Sequence, residues 1–369
     1  MRRCDNVGMH DLVIRGGKVV DGTGAAPVTA DVAIDGDQVV AVGQVDQAGT
    51  REIEADGALV APGWVDVHTH YDGQATWDPV MRPSIDHGVT TAVMGNCGVG
   101  FAPVRPGGEA FLIELMEAIE DIPGTALHEG IDWRWETFGE YIDALAEMPR
   151  TLDLGTTVPH AAVRAYVLGD RCHEYDVDAA EIGEIARVMA DGVRAGALGV
   201  STSRTIQHRS RHGYEPGTFA LDEELMAIAD ELAGVGRGLF QFVSDKTYAQ
   251  AEWEWLEHLQ SKGVNVTYTL AQDPGAPEAY LANMDANHAA TLAGTPTAPQ
   301  VPTRPTGLLY GLQSTLHPFR AHPSYREIAD RPHAERLAAM RDPEFRARLL
   351  AEEPKTKDRF IWYLVNNFA

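Results

Sequence analysis

The chain has 369 residues, of which 44% are hydrophobic and 23% are charged, a composition typical of globular proteins rather than of disordered or fibrous ones. Asp and Glu number 54 against 30 Lys and Arg. The formal net charge of -24 argues against nucleic-acid binding, which needs a cationic surface, and against docking on an anionic membrane. The length is sufficient for one large α/β domain and a smaller one.

Cysteine content and the first residues indicate the cellular compartment. Three cysteines (Cys4, Cys97 and Cys172) are too few for a disulfide framework, which favours a reducing cytoplasm. The start MRRCDNVGMHDL has positive charge but no apolar region after it, so it does not read as a signal peptide. No stretch approaches the ~18 apolar residues of a membrane span. We therefore expect a soluble cytoplasmic protein.

The segment 11–62 has the pattern of a small sheet. Apolar and polar residues alternate in LVIRGGKVVDGTG, ADVAIDGDQVVAVG and REIEADGALVAPG, and glycine-containing turns separate these runs. Alternation of this kind is typical of an antiparallel sheet with one solvated face. We predict a β-sandwich segment over residues 1–62.

From residue 63 onward, short apolar runs alternate with longer amphipathic ones, as in βα units around a parallel sheet. The predicted helices include AAEIGEIARVMADGVRAG and DEELMAIADELAGVG, both of which end on glycine. The predicted strands are 63–70, 90–96, 152–160, 196–203, 238–244, 265–272 and 307–313.

Seven strands, one short of eight, predict an α/β fold with an incomplete (β/α)8-type TIM barrel over residues 63–369. The region 273–306, rich in Pro, Ala and Thr, is expected to cross the mouth of the barrel as a long excursion. Helix-like charged stretches are expected after Pro318, before the aromatic end RFIWYLVNNFA.

Two histidines at the end of the first barrel strand carry the strongest chemical signal. His68 and His70 are spaced i and i+2, so both side chains leave the same face of the strand. Active sites of barrels form at this end of the strands, and two imidazoles there suit a divalent metal, zinc above all. Asp66 and Asp72 are candidates to orient them. The alternative is a pair of ordinary surface or core histidines.

Cys97, in GNCGVG, follows the next strand and should lie on the same rim of the barrel. A thiolate there would be a soft zinc ligand, although a lone buried cysteine is often only a small apolar side chain. The basic run SRTIQHRSRH follows the fourth strand, where Arg204 and His208 could bind a substrate carboxylate; a solvated loop is the alternative. His160 and Arg164, after the third strand, make a weaker case for the same role.

The segments VHTHYDGQATWDP, HGVTTAVMGNCGVGFAPVRP and GVSTSRTIQHR resemble the amidohydrolase superfamily, and within it the D-aminoacylase (N-acyl-D-amino-acid deacylase) group. The resemblance implies a metal-dependent barrel beside a small β-sandwich, and hydrolysis of the amide bond of a small N-acyl-(D-)amino acid through a zinc-activated water. Hydantoinase relatives bridge two metals with a lysine on the fourth strand, and GALGVSTS has none. In the deacylases a cysteine after the second strand bridges the metals, and Cys97 matches it.

Two departures from the family pattern bear on the site. Phe242 stands about where a metal-binding histidine is expected on the fifth strand, and NVTYTLAQD of the sixth strand has none. The remaining ligands, His68, His70 and Cys97, predict one zinc ion rather than a tight pair.

The family's catalytic aspartate follows the eighth strand, so the catalytic base has no candidate here. An unclosed barrel exposes strand edges, and a homo-oligomer or a complementing chain could supply the missing edge. The alternative function is a non-catalytic or split amidohydrolase-like scaffold.

Overall fold

The computed structural model describes residues 9–244, 253–272, 276–294, 297–303, 311–314 and 317–355. The chain divides into two compact units, one of Met1–Val65 with Asp86–Thr90 and the other of Asp66–Ile85 with Thr91–Ala369. Among the described residues, no helix combines the length and the hydrophobicity that crossing a membrane requires.

The first unit is built on a five-stranded sheet in the order β3-β2-β1-β4, with β5 paired to β1. Its strands are β1 (His10–Val19), β2 (Val28–Asp35), β3 (Gln38–Gly43), β4 (Gly49–Glu54) and β5 (Leu59–Val60). β2 is antiparallel to β1 and β3, whereas β4 and β5 run parallel to β1, so the expectation of a purely antiparallel sheet was wrong. Parallel pairing needs a crossover, which the link from β3 to β4 makes, with Val45 buried against Val13 and Ala33.

In the part of the chain that the structure describes, the second sheet has seven strands in the order β14-β13-β12-β9-β8-β7-β6. They are β6 (Trp64–Asp66), β7 (Val89–Met94), β8 (Asp153–Pro159), β9 (Gly199–Arg204), β12 (Leu239–Ser244), β13 (Asn265–Thr269) and β14 (Thr297–Gln300). The pairs from β7 to β14 are parallel. Neighbours in the sheet are neighbours in the chain, as in a (β/α)8 barrel, so the prediction of an incomplete barrel is confirmed.

Helices follow most of these strands and pack on the sheet. They are α1 (Glu109–Glu120), α2 (Gly124–Gly130), α3 (Phe138–Ala146), α4 (His160–Leu168), α5 (Ala179–Ala195), α6 (Asp222–Val235), α7 (Trp253–Ser261) and α8 (Tyr280–Leu292). The two helices predicted in full are α5 and α6, which end at Gly196 and Gly236 as expected. β12 shows the two faces of the sheet: Phe242 packs on Trp255 of α7, and Gln241 points to the other side.

The stretch 273–306 differs from its prediction. Its described residues hold α8 and β14, so it is a regular βα unit and not an excursion. Pro299 hid the strand in the sequence, because proline is excluded from central strands; β14 lies at the edge of the sheet, where it is tolerated. In the strand predicted at 307–313, residues 307–310 lie outside the described residues and 311–313 are not a strand.

Within residues 317–355, the described part of the tail, lie the short helices α9 (Pro323–Arg326), α10 (His333–Arg341) and α11 (Pro343–Leu350), as the charged stretches predicted. Tyr325, Ile328 and Leu349 form a small core among them. The aromatic end 359–369 lies outside the described residues. Between β9 and α6, the strands β10 (Arg209–Ser210) and β11 (Gly213–Tyr214) form a hairpin.

Candidate metal centre

The segment after β6 places two imidazoles side by side. It is fixed to the neighbouring strand by Thr69, whose backbone N–H and hydroxyl both donate to the carbonyl of Val93 on β7, at 2.9 and 2.8 Å. With Thr69 turned toward β7, His68 and His70 project together, and their ring centroids are 5.4 Å apart. The i, i+2 spacing in the sequence is therefore realised as two adjacent rings.

Cys97 lies in a tight turn, Asn96–Gly98, that follows β7. Its φ of 59° is in the left-handed region, which is uncommon for a residue with a side chain. Two neighbouring strands hold the turn: the backbone N–H of Cys97 donates to Oε1 of Gln241 at 2.9 Å, and that of Gly98 donates to Oγ of Ser201 at 3.0 Å. These bonds direct the buried Cys97 thiol toward the histidines.

The structure brings His68, His70 and Cys97 together, with ligand atoms that all lie within 4.8 Å of one another. Nε2 of His68 is 3.1 Å from Sγ of Cys97. Zinc bonds of about 2.0–2.3 Å in tetrahedral geometry separate two ligand atoms by comparable distances. Nδ1 of His70 is buried with no hydrogen-bond partner in the described part of the chain. Two imidazoles, one of which has a nitrogen without a hydrogen-bond partner among the described residues, and a thiol form a set of groups that fits a zinc ion.

Hydrogen bonds from outside this group orient both rings. Nδ1 of His68 is 2.7 Å from Oε1 of Gln300 at the end of β14. An amide oxygen only accepts, so Nδ1 carries the proton and Nε2 keeps its lone pair toward Cys97. Nε2 of His70 is 3.3 Å from Oε1 of Glu120, at the end of α1. Such partners set the tautomer and the direction of metal-binding histidines.

Burial dominates the electrostatics of the site. It lowers the pKa of His70 to about 4, against an opposing effect of Glu120, so the ring is neutral and able to bind a metal. Burial also raises the pKa of the Cys97 thiol, and the carboxylates of Glu120, Glu215 and Asp72 raise it further. The pKa of Asp72 rises to about 7, again through burial.

The predicted substrate-binding residues form two groups. On β9 and the loop after it, Arg204 donates to the carbonyl of Ala220 at 2.6 Å, and Nδ1 of His208 is 3.0 Å from Oε2 of Glu215. These bonds lie within one segment, so Arg204, the last residue of β9, and His208, in the loop after it, belong to the same internally bonded part of the chain.

His160 and Arg164, on α4, form the second group. Both are fully buried against Glu224: Nε2 of His160 is 2.7 Å from Oε1, and Arg164 donates to both carboxylate oxygens. Burial alone would raise the pKa of Glu224, but His160 and Arg164 lower it to about 2. Nδ1 of His160 is 2.8 Å from Oγ1 of Thr202, so this network anchors α4 and α6 to β9.

Several residues at the site were not predicted from the sequence. Phe242 packs on the helices and does not face the site. Gln241 is the β12 residue that reaches Cys97. Its signal in the sequence is that it stands between two apolar residues, Phe240 and Phe242. Gln300, Glu120 and Glu215 left no signal, because each comes to the site from a distant part of the chain.

Residues 51–363 match the amidohydrolase family. The D-aminoacylase of Alcaligenes xylosoxydans xylosoxydans is 32% identical over 227 residues, 61% of this chain and 43% of that enzyme, and the N-acyl-D-aspartate deacylase of the same organism is 31% identical over 61% and 41%. Among solved structures, a D-aminoacylase with a binuclear metal centre superimposes with a TM-score of 0.63 at 28% identity, over 79% of this chain and 58% of that one.

A further structure, N-acyl-D-glutamate deacylase from Bordetella bronchiseptica with zinc and a phosphonate inhibitor, gives a TM-score of 0.65 at 27% identity, over 80% and 59%. The chain belongs to the amidohydrolase family. Within it, the relatives place the chain in the D-aminoacylase group, as its motifs predicted. The chain spans about two fifths of the length of the curated relatives it matches.

Proposed function

We propose that this protein is a metal-dependent hydrolase of carbon–nitrogen bonds other than peptide bonds, and that its substrate is a small N-acyl-D-amino acid. The observation that carries the proposal is the convergence of His68, His70 and Cys97 at the carboxyl ends of parallel strands. The relatives supply the substrate class, since their names give N-acyl derivatives of D-aspartate and D-glutamate.

The metal in this proposal is a single zinc ion held by His68, His70 and Cys97. Three protein ligands with an open position are usual for catalytic zinc. When bound, zinc polarises a carbonyl oxygen and lowers the pKa of a water molecule. Zinc is present in the related N-acyl-D-glutamate deacylase, and for the related D-aminoacylase one-metal activation and second-metal attenuation are described.

The chain's own residues prepare the site for this chemistry. Gln300 and Glu120 hold the two imidazoles in place, and Gln241 and Ser201 hold the Cys97 turn. The substrate carboxylate would meet the basic loop after β9, with Arg204 and His208 as its binding residues. The contacts of His160 and Arg164 with Glu224 support a role in the fold for these two predicted residues.

The experiment that tests the proposal is release of amino acid from a panel of N-acetyl-D-amino acids with acidic, neutral and basic side chains, with the L-enantiomers as controls. We expect turnover of at least one D-substrate by the zinc-loaded chain, loss of turnover with a chelator, and recovery when zinc is restored. A chain that holds zinc and hydrolyses no member of the panel would contradict the proposal.

A further inference from the structure

A cleft of about 370 Å³ lies between α3 and the amino ends of β8 and β9. Its volume is within the range of small-molecule binding sites, about 300–1,000 Å³. Its apolar lining residues include Ile142, Leu145, Met148, Leu152 and Leu198. None of the residues that line it holds or orients the candidate metal centre. The cleft is therefore separate from the site described above.

Gly155 on β8 makes room for Leu198, an exposed apolar side chain of the lining. A Cβ atom on Gly155 would lie 2.4 Å from Cδ1 of Leu198, so a larger residue at this position would displace the leucine. Leu198 is nevertheless 44% exposed. An apolar ligand in the cleft would remove this leucine from water, which is favourable by the hydrophobic effect. This wall of the cleft therefore fits an aliphatic chain.

Arg150 brings a positive charge to the cleft, and the loop that carries it is fixed. The backbone N–H of Thr151 donates to the carbonyl of Pro79 at 3.0 Å. Nε of Arg150 donates to the carbonyl of Ala75 at 3.1 Å, and Nη2 donates to that of Leu145. A guanidinium has more N–H donors than these two carbonyls use. The remaining N–H groups of Arg150 are available to a ligand.

The charge of Arg150 is not balanced by a carboxylate in the described part of the chain. Burial lowers the pKa of Arg150, and the group that opposes this effect is the phenol of Tyr141. Asp153 also lines the cleft, but its side chain is exposed and forms no ion pair with Arg150. A half-buried cation of this kind favours an anionic ligand, and a planar guanidinium matches a carboxylate through parallel hydrogen bonds.

We propose that this cleft binds a small aliphatic carboxylate, whose charged group contacts Arg150 and whose chain packs against Leu152 and Leu198. A polar anion such as phosphate would leave the leucines in water, and a neutral lipid would leave the guanidinium without a counter-charge. The site uses neither the metal nor amide hydrolysis. Its test is therefore independent of the proposed function.

The probe is octanoate, with octanol as its uncharged analogue, and binding to the full chain is followed by NMR of the methionine methyl groups. Met94 and Met148 line the cleft, whereas Met116 and Met189 are buried elsewhere in the core. We expect octanoate to shift the resonances of the first pair in a saturable manner and to leave those of the second pair unchanged. The net charge of -24 disfavours non-specific binding of an anion.

Two variants test the two halves of the cleft. Arg150→Gln should weaken octanoate binding by about 10–100-fold, because a hydrogen bond to a charged group is lost, and should change octanol binding little. Arg187→Gln, which removes an exposed arginine paired with Glu184 on α5, is the matched control and should leave the Kd unchanged. Since Arg150 also bonds two carbonyls, Ala146→Phe provides a variant that keeps Arg150 and fills the cleft, and it should abolish binding of both probes.

Because a carboxylate also binds metal ions, the titration is repeated on zinc-free Cys97→Ala, where the same shifts of Met94 and Met148 are expected. Loss of binding in that variant would place octanoate at the metal centre and overturn the proposal. Binding that survives both Arg150→Gln and Ala146→Phe would overturn it as well. An apolar N-acyl-D-amino acid shares the chemistry of the ligand, so N-acetyl-D-leucine is titrated on the same zinc-free chain. Tighter binding than that of octanoate would assign the cleft to this class and overturn the choice of a simple carboxylate.

Discussion

Cys97 holds a backbone conformation that a residue with a side chain adopts at a cost of roughly 1–2 kcal/mol. The bonds from Gln241 and Ser201 offset that cost, because they satisfy the N–H groups of Cys97 and Gly98 away from water. A thiol that only filled space would need no such support. At the scale of the residue, the turn is built to place one sulfur atom.

Replacing that sulfur tests the ligand role directly. Cys97→Ala should reduce bound zinc from about one equivalent to a small fraction, because two histidines alone bind zinc weakly. Elemental analysis of the purified chain measures the ratio. Cys172→Ala is the matched control, since Cys172 is also a free buried cysteine and lies outside the histidine group. Equal zinc in both variants would show that Cys97 is not a ligand.

The buried Glu224 gives a second prediction. Glu224→Gln leaves the Arg164 guanidinium buried without its counter-charge, which should lower the free energy of unfolding by about 3–5 kcal/mol. Glu184→Gln breaks an exposed pair with Arg187 on α5 and should cost at most about 1 kcal/mol. Urea denaturation measures both. Similar small losses would mean that the buried network adds little.

The same carboxylate has a pH signature. Its pKa falls from 4.5 to about 2 on folding, so its stabilisation is present above pH 4.5 and is lost as the pH falls through 2. Wild type should therefore lose stability relative to Glu224→Gln across that window. Parallel stability curves for the two proteins would contradict the lowered pKa.

At the scale of the element, β14 is a four-residue edge strand whose last residue, Gln300, holds His68. Gln300→Leu keeps the size of the side chain and removes the acceptor for Nδ1, so the tautomer of His68 is no longer fixed. We expect zinc affinity to fall by about 10–100-fold. Competition with a chromogenic chelator measures it, and Gln44→Leu, in the link between β3 and β4, is the control. An unchanged affinity would show that the bond does not orient the ligand.

Elements with local signals could be predicted from the sequence. α5 carries a capping box, in which Asp178 and Glu181 satisfy the first N–H groups, and it ends at Gly196. β14 has no comparable signal, because its TAPQ letters favour a loop and only pairing with β13 makes them a strand. The strands of the second sheet could be predicted from the sequence except for β14, which is defined by its pairing with β13.

The same division applies to the candidate site. His68, His70 and Cys97 are close in the chain and follow adjacent strands, so parallel-sheet geometry was enough to predict that they meet. Gln300 and Glu215 come from far along the chain, and nothing in the local sequence shows that they approach the site. The register of β12, which turns Phe242 outward, also depends on packing against α7 and could not be read from its letters.

At the scale of the whole molecule, metal binding should stabilise the folded state, because the ligand group exists only after folding. Zinc at 100 times its dissociation constant should add about 2.7 kcal/mol to the free energy of unfolding. Thermal denaturation with zinc and with a chelator measures the difference, and Cys97→Ala should show little of it. A wild-type Tm that is independent of zinc would contradict a native-state site.

The bond between His68 and Gln300 joins residues 232 positions apart, and it links the segment after β6 to the end of β14, the first and last strands of the sheet. Closing so long a stretch of chain carries a large entropic cost, which is recovered only when the intervening strands are already paired. We therefore expect the bond that fixes the tautomer of His68 to form late in folding. The moment at which the refolding chain begins to bind zinc tightly would therefore report when β14 has paired with β13.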